Sequence, residues 1–178
     1  MSANVAVGGE LPYIQSLKGK MLGGTRAFGL PLASTTQEFP IGTLLYNDEG
    51  LGTIYKYVQA TNAVIAVNDV VSYASGSTVA TQAASATGVI TRAGVAPYAF
   101  TANQYGFIVV HGQVTAKATT VTAGLALVPT EGTAGTVSAL APSGAYSQAE
   151  AVAAMSVMGF ALGSDSTGVA SIFVNRCL

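Results

Sequence analysis

Nucleophilic catalysis by a triad needs a histidine as general base, and this chain has one, His111. It stands inside Phe107-Ile108-Val109-Val110-His111-Gly112, a run with the composition of a strand covered on both faces, so it reads as a structural histidine. No serine sits in a Gly-x-Ser-x-Gly elbow. One histidine and one cysteine, Cys177, cannot complete a four-ligand transition-metal cage. A single cysteine also excludes an intramolecular disulfide, and Cys177 reads as a small buried hydrophobe. Asn47-Asp48-Glu49-Gly50 offers hard oxygen ligands without the alternating spacing of a calcium loop, and adjacent carboxylates on a strand point to opposite faces. Asp69, Glu131 and Asp165 stand in turn-like stretches, where acidic residues are ordinary. Gly19-Lys20-Met21 and Gly23-Gly24-Thr25-Arg26 lack the strand–loop–helix setting of a phosphate loop. The expectation is a chain that is not an enzyme and takes no cofactor and no metal.

The charge count then sets the problem. Of 178 residues only 8% are charged, 7 basic and 8 acidic, where about 25% is usual. On a folded surface of roughly 8,000 Å² that is about one charge per 500 Å², far fewer than a soluble monomer uses to keep its copies apart. A membrane or a coat of protein subunits would each explain it. No window approaches the roughly 20 apolar residues of a spanning helix, and Met1-Ser2-Ala3-Asn4 opens no signal peptide. The mean hydropathy of +0.49 comes from Ala and Val scattered among Thr, Ser and Gly. Nucleic acid is not expected as a partner, because phosphate binding needs clustered Lys and Arg. What is left is a surface covered by neighbouring subunits.

The elements that would build such a surface are strands. Residues 1–40 carry Gly8-Gly9, Gly23-Gly24, Pro12, Pro31 and Pro40 with no sustained period, and read as an extended N-terminal arm. That arm is either a terminus without fixed structure or one that becomes ordered along a neighbour. Lys18, Lys20, Arg26 and Phe28 are its candidate subunit-contact residues. Residues 41–178 read as one β-rich domain. Strands are expected near 44–46, 53–59, 64–73 with a turn or bulge at Asn68-Asp69, 78–82, 88–96, 105–116, 125–129, 135–140, 157–162 and 169–175. Short strands at such spacing imply an all-β fold, a small barrel or a sandwich. At most one short helix is expected, near 147–155, where Ser147-Gln148-Ala149-Glu150 has capping-box spacing. Val64–Val71 and Thr120–Val128 echo one another, each a β-branched run meeting a turn residue before an apolar strand, but two instances do not establish a repeat architecture.

The segments Asn68-Asp69-Val70-Val71, Ala102–Gly112 and Ala123–Val128, with the late Gly159-Phe160-Ala161-Leu162-Gly163, give the strand block from Ile41 to Ala141 a texture that resembles the decoration, or cement, proteins of tailed bacteriophage heads. The resemblance implies small β-domains, often homotrimers, that clamp the outer face of a capsid where major capsid protein subunits meet. It implies terminal arms that reach neighbouring subunits, a place on the outer surface of the virion, and assembly in the host cytoplasm. A phage tail or fibre component, or a surface adhesin, is the second reading.

Overall fold

The computed structural model describes residues 14–16, 32–47, 52–60, 64–73, 78–81, 92–130, 133–140 and 157–175. Among them the chain is all-β, as its alternating patterns require, and contains no helix. The helix candidate at 147–155 lies outside the described residues.

The strands are β1 (Ile14–Ser16), β2 (Leu44–Asn47), β3 (Thr53–Ala60), β4 (Val70–Tyr73), β5 (Thr78–Thr81), β6 (Ala93–Val95), β7 (Tyr105–Thr119), β8 (Ala126–Pro129), β9 (Val137–Ala139), β10 (Gly159–Ala161) and β11 (Val169–Asn175). The sequence places β2, β3, β5 and β8 to β11 within two residues, misses β1, which falls in the stretch read as an arm, and starts the run of β4 six residues early at Val64. It misses the length of β7, whose 15 residues reach on through Lys117, Ala118 and Thr119. Of the run expected at 88–96, Ala93–Val95 is strand, and 88–91 lie outside the described residues.

Pairing closes the sheet on itself twice. The later strands run β7-β11-β10-β8-β9, and β9 returns to β7 in parallel, which completes a five-stranded barrel. The earlier strands run β3-β5-β4-β6-β7, and β7 returns to β3 antiparallel, which completes another. The two circuits are the same circuit. Each has its first strand parallel to its third and its other neighbours antiparallel, so β3 through β7 in one correspond to β7 through β11 in the other. Strand β7 closes the first barrel and opens the second. A 15-residue strand is about 50 Å long, enough to wall both.

The register carries the correspondence down to residues. Val71 faces Gly94 as Leu127 faces Gly159, and Val95 faces Val109 as Phe160 faces Phe173. A Cβ on Gly94 would stand 2.7 Å from the Val109 carbonyl oxygen, and one on Gly159 would run into the matching carbonyl of Phe173. Both barrels therefore use glycine at the same close approach of two strands. The equivalent inward residues are Ala60 and Ala118, Val71 and Leu127, Ala96 and Ala161, Ile108 and Ile172, all buried. The echo between Val64–Val71 and Thr120–Val128 is the visible trace of this duplication. Asn68 (φ 67°) and Gly124 (φ 85°) hold the same left-handed turn before β4 and β8.

Each barrel has its own apolar filling. Val58, Ala60, Val71, Ile108 and Val110 fill the first, while Ala116, Leu127, Val137, Ile172 and Val174 fill the second. Val70, Ala93 and Val95, which alternate outward from the first barrel, belong to the second cluster, so the two barrels pack as one unit. On the other outer side of β3 and β7, Leu45, Tyr55, Tyr57, Phe107 and Val109 form a third cluster. That explains why β7 is apolar on both faces. A bulge opposite Ile54 and Tyr55, followed by Gly112 at φ 104°, turns β7 from one barrel into the next.

Of the residues read as the arm, Ser34 bridges to Tyr105, and Phe39 packs edge-on to Tyr57 (5.3 Å) and Phe107 (5.4 Å). Strand β1 pairs in parallel with β2, Ile14 facing Leu44 and Ser16 facing Tyr46.

Candidate assembly surface

The outer wall of the second barrel exposes what a soluble surface normally hides. Ala126, Phe160, Phe173 and Gln113 lie side by side across β8, β10, β11 and β7. The Phe160 and Phe173 rings stack at 5.3 Å and 14°, and His111 meets Phe173 edge-on at 5.1 Å and 83°. Phe160 is 43% exposed, and Leu125 and Leu162 at the flanks are 42% and 40% exposed. Leu162 is held in place by its N–H donating to the Ser171 carbonyl (2.9 Å).

No side chain of that row carries a formal charge. Gln113 Nε2 donates to Ser171 Oγ at 3.2 Å. Covering each of the large exposed side chains would stabilise a complex by on the order of 1 kcal/mol. The strip is thus chemically suited to burial against protein.

His111 lies at the edge of this row. It is half-buried in β7, its Nδ1 has no hydrogen-bond partner, and its ring contact is with Phe173. Among the described residues no three His, Cys, Asp or Glu side chains come together as a metal site.

Of the acidic residues that the sequence assigns to turns, Asp69 follows the turn at Val67-Asn68 and Asp165 lies between β10 and β11, and both are structural. Asp69 is buried, accepts the Ala66 N–H (2.8 Å) on Oδ2 and pairs through Oδ1 with Lys117 Nζ (2.5 Å). Asp165 accepts the Val121 N–H at 2.6 Å and returns its own N–H to the Val121 carbonyl at 3.0 Å. Sequence reasoning missed both, and it missed the Phe160–Phe173–His111 row. The only signal for that row was an aromatic residue at an outward position of each of two predicted strands. Lys18, Lys20, Arg26 and Phe28, the candidate arm contacts, lie outside the described residues, as do Asp48, Glu49, Glu131 and Cys177.

No family model matches the chain, and no curated protein matches it. A solved structure, the head fiber gp8.5 N base in bacteriophage phi29, is similar over 70% of this chain and 95% of that one, with 14% identity and a TM-score of 0.46. A likeness of that degree does not carry function.

Proposed function

We propose that this chain is a non-enzymatic virion protein that decorates and cements the outer face of an icosahedral phage capsid, as a homotrimer bridging neighbouring major capsid protein subunits. The observation that carries the reading is the uncharged row of Phe160 and Phe173, flanked by Leu162, on the barrel wall, in a chain with only 8% charged residues. Such a surface gains free energy when a neighbour covers it and loses solubility when none does. A standard contact hides about 800 Å² per partner, so a few contacts would cover much of the wall. Stabilisation follows from burial that exists only while adjacent capsid subunits keep their spacing. Expansion or rupture of the shell then has to break it. The arm, through Lys18, Lys20, Arg26 and Phe28, extends the contact to a second subunit.

The test is co-sedimentation of the purified protein with undecorated heads of the virus that encodes it. Saturable binding that raises the temperature at which the heads burst is expected. Protein left in the supernatant with heads, yet sedimenting with tails, would replace this reading with a tail or fibre component.

A further inference from the structure

The duplicated barrel shows what kind of partner its bare face takes. In the first barrel the positions equivalent to Leu125, Ala126, Phe160 and Phe173 are Asp69, Val70, Val95 and Val109. All four are buried, at 5%, 0%, 0% and 2% exposure. What covers three of them is the second barrel. Val70 and Val95 pack into its apolar cluster, the Val70 N–H donates to the Gly135 carbonyl (2.8 Å), and Asp69 pairs with Lys117 of the shared strand. In the second barrel the same face has no barrel beyond it among the described residues, and Phe160 and Leu125 stand more than two-fifths exposed.

Stacked repeats that end in solvent replace the apolar face of the last unit with polar residues. Here the opposite has happened. Val95 and Val109 become the larger Phe160 and Phe173, and the acidic Asp69 becomes Leu125. We propose that this face of the second barrel is an interface between copies of this chain, seated on the first barrel of a second copy. The row itself brings no charge into such a contact, so it adds neither repulsion nor a charge of its own to be buried unpaired. A contact that joins different faces of two copies is head-to-tail, and it closes into a ring when its rotation allows. This inference rests on the homo-oligomer part of the reading above and assigns the face that builds it.

The experiment is sedimentation velocity on the full chain and two variants, Phe160→Lys and Leu125→Asp. Leu125→Asp is fold-compatible, because the equivalent position of the first barrel is Asp69. Circular dichroism and thermal unfolding of the dilute proteins check that both variants fold. The parent is expected to self-associate, and each variant to do so at least ~30-fold more weakly, the loss typical of a central interface residue. A parent that stays monomeric at several hundred micromolar, or folded variants that associate as tightly as the parent, would overturn the proposal. Binding to heads is measured separately. Self-association lost only in the variants, with heads unbound by every form, would leave this interface standing and remove the capsid reading instead.

Discussion

Lys117 Nζ lies 2.5 Å from Asp69 Oδ1, and this pair ties the turn that opens β4 of the first barrel to the strand that both barrels share. The carboxylate is 8% exposed while the ammonium is 38% exposed, so the two ends of the pair are not equivalent. Removing Lys117 leaves a buried anion that keeps the Ala66 N–H but has lost this counter-charge. Removing Asp69 lets the lysine turn to water but orphans that N–H. Lys117→Met and Asp69→Ala are each expected to cost about 1–3 kcal/mol. Urea unfolding of both and of the double variant should show coupling of at least ~0.5 kcal/mol. Strict additivity would show that the barrels are held together without this pair.

The glycine shared by both barrels gives a matched pair of substitutions. In Gly94→Ala the new Cβ meets the Val109 carbonyl and the Ile108 side chain. In Gly159→Ala it meets the Phe173 backbone more closely still. Both should lose about 2 kcal/mol or more, Gly159→Ala the more of the two. At about 2–4 °C per kcal/mol for a chain of this size, differential scanning fluorimetry resolves the order. A Gly159→Ala protein that melts with the parent would contradict the register that makes the two barrels equivalent.

Tyr57 sets an alkaline limit. Its hydroxyl accepts the Glu38 N–H at 3.0 Å, and burial raises its pKa above the ordinary 10.0. For a raised pKa the stabilisation is complete below the unfolded value and is lost as pH climbs through the folded one. Neighbouring Lys56 has the opposite sign, because burial and then Arg92 hold its pKa below 10.5 and relieve a penalty as pH rises. Comparison with Tyr57→Phe isolates the tyrosine. That variant should be about 1 kcal/mol less stable at pH 7, and the difference should shrink above pH ~10. A constant difference from pH 7 to 11 would place the stabilisation elsewhere than in the protonated hydroxyl.

Deleting residues 1–30 tests the arm. The barrels close without it, through pairings from β3 to β11. The truncated chain should keep its β-sheet spectrum and lose at least ~10-fold in affinity for heads. Unchanged affinity would show that Lys18, Lys20, Arg26 and Phe28 make no contact that matters.

Most strands were legible because they are β-branched or aromatic runs between turn residues, while β1, Ile14-Gln15-Ser16, has no such run, and Asn68-Asp69 announced its turn by composition alone. The duplication was nearly hidden. Buried positions need only be apolar and fit the available volume, so Val58 in one barrel stands where Ala116 stands in the other, and Val71 where Leu127 does. What persists is Gly94 with Gly159 and Ile108 with Ile172, where a close approach or a central filling position restricts the choice. The exposed row was not legible either. An outward Phe160 and an inward one look alike in sequence until the register places Phe160 beside Phe173. The same holds for Asp69, whose partner Lys117 is far along the chain and meets it only because one strand walls both barrels.

Electron cryo-microscopy of undecorated heads incubated with the full chain tests the central claim most directly. Discrete density is expected on the outer capsid face at symmetry-related positions, with two fused barrels per copy and contacts to more than one capsid subunit. A bare capsid surface at saturating protein, with the same protein folded in solution, would contradict it.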